Sequence, residues 1–513
     1  MPRVGAAIMS LALFFGLCVI IAAVVIRFGI FLTARLGLLD HPGGHKQHGS
    51  STPFVGGFGL VAIVMTVLYC GSTYFPGLSL HPLRVMAVGA AILFVTGLVD
   101  DMWHLGFKSR LLIQAVVALG MVYWGGVELA TLGRIFHSLP INLGIFAVPF
   151  TVFATIGLIN ALNMIDGIDG LSGSLSFISL ALVAAVAAAV HSITYLIFAV
   201  ALMGGVAGFL YYNLRYSSNK QARVFLGDNG SMLLGFVFAW LFIALSQGER
   251  PAMTPVTALW FFAVPLMDTV SVMLRRIRSG KSPFHADRNH LHHLFMRAGF
   301  RVSDTVCIVS LLQLVLGGIG IAGLWLKLPE YLMFWFFIGV FATYAYVIFQ
   351  PRHFVLNLRR LNAALGLIPV PACGVFVGYL EKEAAKKILD VLAEKFTGRY
   401  DYRFSLHQVD HQKLGDANTY ALIEIDGGFD EAPAREIRRL MSHVKNHFAD
   451  GSHDLQLRLF MRRNKENERR IVRVNNKIMG CRREKDRRAK SRNAPIYTDV
   501  LSCNKRRVNF VRF

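Results

Sequence analysis

The chain has 513 residues, 54% of them hydrophobic, with mean hydropathy +0.49. That is too apolar for a soluble protein of this length, and apolar runs of about 20 residues recur along it. The charge is 53 Lys and Arg against 31 Asp and Glu, net +22; the excess sits mostly in loops and at the C-terminus, where positive-inside topology accounts for much of it, so nucleic acid is not expected as a partner.

The first apolar run, Val4 to Ile26, has no convincing small-residue cleavage site and is followed by more spans, so it reads as a retained span. Eleven spans are expected, at roughly 5–33, 56–75, 83–99, 110–126, 143–160, 172–190, 193–212, 231–247, 256–274, 305–326 and 331–349. Two kinds of connection alternate between them. One set is long, polar and basic: 35–55, 100–109, 161–170, 213–230 and 275–304. The other, including Gly71 to Leu80 and Gln247 to Thr254, is poor in Lys and Arg. The basic set is assigned to the cytoplasm, which puts the N-terminus outside and the C-terminus inside. Every stretch rich in Asp, Asn or His then falls on the cytoplasmic face. The six Cys show no paired spacing and no Cys-x-x-Cys, so neither disulfides nor a Cys-based metal site is expected.

After Gln350 the pattern changes. Gly374 to Leu380 reads as a strand, Glu381 to Phe396 as an amphipathic helix, and Tyr400 to Val409 and Tyr420 to Ile425 as strands. Ala432 to Phe448 reads as a second helix and Leu455 to Met461 as a last strand. The order βαββαβ suggests a small α+β domain over 370–462, ferredoxin-like at best and without a catalytic cluster. Lys465 to Phe513 carries 16 Lys or Arg against five Asp or Glu, half of the net charge, and lacks apolar periodicity. It reads as a disordered tail or one lying on anionic lipid. The fold class is therefore an all-α polytopic membrane domain over 1–350 with a small α+β cytoplasmic domain and a basic tail.

Five polar stretches carry the chemistry. Asn160 to Gly170 sets Asn163, Asp166 and Asp169 three apart, on one stripe if the backbone is helical. Charged groups between spans are expensive and usually functional, and here they suggest a site for a cation and a phosphorylated ligand. The first cytoplasmic loop offers Lys46 and His48 for phosphates beside Gly56 and Gly57; an ordinary basic connector is the plainer account. Asp100 and Asp101 end the third span, and adjacent helical residues diverge, so one faces the site while the other holds a neighbouring Lys; Lys108 lies in the same loop. Asp228, in Val224 to Ser231, can cap the eighth span or hold Mg²⁺ against a phosphate at that helix N-terminus. Ser282 to His293 brings Asp287, Arg288, His290, His292 and His293 together. His-x-His permits zinc, but the surrounding Arg and Lys repel a cation, so a grip on a diphosphate is the better reading.

These motifs resemble the polyprenyl-phosphate N-acetylhexosamine-1-phosphate transferases, the glycosyltransferase 4 family. The resemblance runs in register from Asp40 to Phe300 through Gly97 to Asp101, Asn160 to Gly170, Val224 to Ser231, Pro265 to Asp268 and Ser282 to Phe300. It implies transfer of N-acetylglucosamine 1-phosphate, or of another N-acetylhexosamine 1-phosphate such as a 6-deoxy sugar, from its UDP-sugar to undecaprenyl phosphate. It implies Mg²⁺, with Mn²⁺ as a substitute, held by Asp228 and Asn163. Asp100 and Asp101 would lie at the carrier phosphate. Asp166 and Asp169 would face the nucleotide, with Asp169 a candidate for uracil. Lys108, Arg288, His290, His292 and His293 would grip phosphates. Where His45 stands the family usually has Arg. A transporter of lipid-linked sugar is the reading from another class; it calls for paired broken spans and internal repeats, and the sequence shows neither. The bilayer is a partner in either case, and a homo-oligomer is compatible with both.

Overall fold

The computed structural model describes residues 2–36, 39–40, 52–75, 77–137, 139–216, 221–280, 282, 289–365, 372–377, 456–462 and 497–498. The chain divides into two units, one comprising Met1–Met296 with Val302–Phe354, the other Arg297–Arg301 with Val355–Phe513.

The first unit is helical. Its elements are α1 (Pro2–Leu36), a short hairpin of β1 (Leu39–Asp40) and β2 (Thr52–Pro53), then α2 (Gly56–Tyr74), α3 (Leu80–Trp103), α4 (Phe107–Tyr123), α5 (Ala147–Ile165), α6 (Leu171–Ala189), α7 (Ile193–Asn213), α8 (Gly227–Ser246), α9 (Pro255–Phe261), α10 (Ala263–Arg278), α11 (Leu291–Arg297), α12 (Val302–Trp325) and α13 (Glu330–Phe349), with α14 (Pro351–Leu365) beginning at its edge. Each of the eleven expected spans overlaps one of these helices. Among the described residues, however, eight helices are long and apolar enough to cross a bilayer, or nine if the bent pair α9–α10 is one span. The protein is thus a multi-pass membrane protein. The shortfall lies in α2, whose apolar stretch is Gly56–Gly71, and in α4, which spends its first turn on Lys108 and Arg110.

The centre of the unit is α8, buried along nearly its whole length. A helix apolar all round has no face for water and belongs in a protein core or a membrane. It packs against α3 and α5. The approach to α3 is close enough that a Cβ on Gly97 would lie 2.4 Å from the backbone N and Cα of Asn229. Glycine at 97 is therefore what lets the α3 terminus and the α8 N-terminus touch.

The one bent pair turns by 85° between α9 and α10. Pro265 has no N–H for the carbonyl four residues back, so the Phe261 carbonyl loses its helical partner. Gln313 of α12, wholly buried, repairs the break. Its Nε2 donates to Phe261 O at 2.7 Å and its Oε1 accepts from Val264 N at 2.9 Å, while Ser179 Oγ donates to the same Phe261 carbonyl at 2.7 Å. Irregular backbone at membrane depth is tolerated where protein groups satisfy it in this way.

In the second unit, β3 (Ala372–Val377), β4 (Gln456–Arg462) and β5 (Tyr497–Thr498) form an antiparallel sheet in the order β3-β4-β5. β3 and β4 overlap the stretches Gly374 to Leu380 and Leu455 to Met461 that were expected as strands. The elements expected between them lie outside the described residues. β5 falls in the basic tail, where no regular structure was expected.

Candidate active site

The described parts of the polar loops meet at one end of the helical unit, where α3, α5 and α7 finish and α8 starts. Asp100 and Asp101 face different ways, as adjacent helical residues must. Asp100 is buried and accepts a hydrogen bond from Arg110 Nη1 at 2.6 Å. The same guanidinium nitrogen stands 3.7 Å from Asp228 Oδ2, so one cationic group lies between two carboxylates. The neighbouring base was expected to be Lys108; it is exposed and makes no ion pair among the described residues, because two residues before Arg110 in the first turn of α4 it points to another side of that helix.

Asp101 points to the start of α8. It accepts the backbone N–H of Asp228 at 3.0 Å and of Asn229 at 3.2 Å, and the Asn229 side-chain amide at 2.6 Å. A helix N-terminus leaves its first N–H groups without intrahelical partners, and a carboxylate there is also favoured by the helix dipole. Capping of α8 was one of the two roles open to Asp228, beside holding a cation. The cap is supplied instead from α3, which leaves the Asp228 carboxylate to the site. Asn163, in the last turn of α5, donates to Asp228 Oδ1 at 2.5 Å and to Ser231 Oγ at 3.0 Å.

Asn163, Asp166 and Asp169 do not share a helical stripe. α5 ends at Ile165 and α6 begins at Leu171. Gly170, just before α6, has φ +85°, a left-handed conformation outside helical backbone that suits glycine. The turn so formed aims its two carboxylates apart. Asp166 accepts from Ser172 Oγ. Asp169 is buried, accepts from Arg215 Nε at 2.6 Å and from Ala222 N at 3.2 Å, and so ties the turn to the α7–α8 loop. Burial, reinforced by the charges of Asp101 and Asp169, pushes the Asp166 carboxyl up to about 7 despite the Ser172 hydrogen bond.

The His motif sits on α11 and the residue before it. His290 Nδ1 is 2.7 Å from Asp268 Oδ2. His292 is buried, its two ring nitrogens without a hydrogen-bond partner among the described residues. It lies against the Asp166–Asp169 turn: a Cβ on Gly167 would be 2.5 Å from His292 Nε2. Burial and the neighbouring His293 and His290 hold the His292 imidazole well below the ordinary histidine range, so it is neutral. His293 packs 4.2 Å from His292 between ring centroids. Lys46, His48, His45, Asp287 and Arg288 lie outside the described residues.

Arg110, Arg215, Asn229 and Tyr344 were not anticipated as participants. Asp268 was part of a recognised motif without a role. Arg110 had one signal, a base following two carboxylates, shared with Lys108. Arg215 had only its place in a basic loop.

A profile of glycosyl transferase family 4 matches residues 83–246. The chain is 35% identical over 330 residues to the undecaprenyl-phosphate alpha-N-acetylglucosaminyl 1-phosphate transferase of Salmonella typhi, covering 64% of this chain and 88% of that protein. The chain belongs to glycosyl transferase family 4. The identically named proteins of Escherichia coli strain K12 (35% over 330 residues, 64% of this chain, 88% of that protein) and Pasteurella multocida strain Pm70 (34% over 354 residues, 67% of this chain, 97% of that protein) are similar to it to the same degree. Like the family, the chain is a phosphotransferase of the sugar-phosphate type. About a third of it lies outside these matches.

Among the described residues no group of three or more His, Cys, Asp and Glu is placed to hold a metal. The donor chemistry nevertheless fits a divalent cation of the Mg²⁺ kind, which takes one or two carboxylates and completes its shell with phosphate and water. Asp228 and Asp100 already converge on one positive group, the place a cation would take between them.

Proposed function

We propose that this protein transfers N-acetylglucosamine 1-phosphate from UDP-N-acetylglucosamine to undecaprenyl phosphate, releasing UMP and leaving undecaprenyl-diphosphate-N-acetylglucosamine. The observation that carries the reading is the convergence of Asp100, Asn163 and Asp228 from three packed spans beside Arg110. The similarity to proteins named for this activity supports it. The product would begin an O-antigen, common-antigen or other surface polysaccharide. The site would face the cytoplasm of a bacterial inner membrane, with the N-terminus periplasmic. Residues 1–350 would carry the reaction, 370–462 a separate α+β domain, and 465–513 a basic tail.

The carrier phosphate is already an anion, so it attacks the sugar-linked phosphorus without a strong base. One P–O bond forms there, and the bond to UMP breaks. The obstacle is bringing two anions together. Arg110 offsets the charge of the Asp100–Asp228 pair, so that these carboxylates add less to that repulsion, and Asp228 with Asn163 would hold the metal. Bound Mg²⁺ would offset charge on the diphosphate oxygens. Asp166 and Asp169 would line the nucleotide side of the site. His290, His292, His293 and Arg288 would close over the diphosphate, with Lys46, His48 and Lys108 as further phosphate contacts.

The test is UMP release by purified protein in detergent with undecaprenyl phosphate, Mg²⁺ and a panel of UDP-sugars. Release with UDP-N-acetylglucosamine is expected. Release only with another UDP-N-acetylhexosamine would change the sugar and keep the reaction. No release with any sugar from folded protein would sink the reading. The transporter alternative requires a pair of broken spans; the described residues contain one.

A further inference from the structure

Asp268 is wholly buried in α10, below the polar face of the site. A carboxylate so placed is costly unless donors surround it. Three do, from two other segments of the chain. Oδ2 lies 2.7 Å from His290 Nδ1, while Oδ1 accepts the Leu291 backbone N–H at 2.9 Å and the Tyr344 hydroxyl of α13 at 2.8 Å. The carboxylate therefore fixes the α11 backbone and the His290 ring together. With Nδ1 turned to Asp268, Nε2 is the His290 ring nitrogen left for a ligand. The His290 and His292 rings stack at 5.6 Å and 13°, and His292 abuts Gly167. A shift of His290 therefore reaches the Asp166–Asp169 turn.

We infer that Asp268 is a positioning residue for nucleotide-sugar binding: with Tyr344 it anchors the His motif, so that His290 presents Nε2 to the substrate diphosphate and His292 stays seated on the Asp166–Asp169 turn. The inference rests on the proposed placement of the His motif at the nucleotide sugar. A carboxylate holding one imidazole nitrogen sets which nitrogen is left for a ligand. In Asp268→Asn the amide oxygen is a neutral, weaker acceptor for Leu291 and Tyr344, which loosens the α11 anchor, and the side chain no longer offers an anion to His290.

The experiment uses full-length Asp268→Asn, His290→Ala, the double variant and Tyr344→Phe, with KM measured separately for UDP-N-acetylglucosamine and undecaprenyl phosphate. Asp268→Asn is expected to raise KM for the UDP-sugar about tenfold or more, with little change in carrier KM or in the Mg²⁺ concentration for half-activity. The double variant should be no worse than His290→Ala alone, since both remove one contact. Tyr344→Phe should act in the same direction by about two- to fivefold, and it keeps the question open to measurement if Asp268→Asn does not fold. Hydrogen exchange over 290–297 supplies a readout independent of activity: faster exchange there, and not in α8, is expected of Asp268→Asn and Tyr344→Phe. Multiplying effects of Asp268→Asn and His290→Ala would overturn the inference, as would an unchanged UDP-sugar KM. Wild-type protein that releases no UMP would sink the proposed function instead, and unchanged exchange over 290–297 would still refute the anchor by itself.

Discussion

The Asn163 side-chain amide donates to Asp228 Oδ1 at 2.5 Å, joining residues 65 positions apart. The end of α5 and the start of α8 are thereby one polar unit, closed on its other side by Arg110 and Asp100. If Asp228 holds the cation, Asp228→Asn removes the charge without removing the shape. Turnover should fall by about 100-fold or more, the range seen when a main electrostatic contributor is lost. Asn163→Ala should retain more turnover but need more Mg²⁺. UMP release titrated with Mg²⁺ checks both; an Asp228→Asn enzyme with an unchanged Mg²⁺ curve would remove this residue from the metal site.

Gly97 is where α3 and α8 touch. An added Cβ would meet backbone atoms of Asp228 and Asn229 at 2.4 Å, and backbone cannot swing aside as a long side chain can. Overpacking of this kind costs about 1–3 kcal/mol. Gly97→Ala should lower the melting temperature and, by lifting Asp101 from the α8 N-terminus, reduce turnover more than its stability loss accounts for. Gly157→Ala, with nothing within 4 Å, is the control and should behave as wild type.

The spans were legible because runs of about 20 apolar residues leave little choice in a bilayer. The site loops were legible because carboxylates between such runs are expensive. What eluded the sequence was pairing across spans. Lys108 and Arg110 look alike as bases after Asp100, and only the orientation of the first turn of α4 selects Arg110. The Asn163, Asp166 and Asp169 spacing suggested one stripe, yet the left-handed Gly170 follows a helix that has already ended at Ile165. The α9–α10 break had a visible cause in Pro265, whereas its repair by Gln313 depends on a helix about 50 residues later.

Asp166 gives a pH dependence with a defined sign. Its carboxyl is raised from 3.8 to about 7 in the folded protein, chiefly by burial. The folded state thus binds this proton more tightly than the unfolded chain does. The resulting stabilisation is fully present below about 3.8, and is lost as pH rises through about 7. Asp166→Asn removes this contribution, so its melting temperature relative to wild type should be higher at pH 8 than at pH 5. Melting curves of the two proteins across that range are the measurement. A difference constant with pH would mean that Asp166 does not titrate there.

The C-terminal region offers a graded truncation. The helical unit ends at Phe354, and Phe354 packs edge-on against Phe295 of α11 at 5.9 Å. Removing everything after Leu365 leaves that contact in place and should leave UMP release within about twofold of wild type, if the reaction belongs to the helical unit alone. Removing everything after Gln350 also deletes Phe354. An aromatic pair contributes about 0.5–1.5 kcal/mol, and this one supports the helix that carries His292 and His293. The shorter protein should therefore show a UDP-sugar KM raised about two- to tenfold, with carrier KM unchanged. Loss of all activity in a stable protein ending at Leu365 would assign the C-terminal unit a part in the reaction itself.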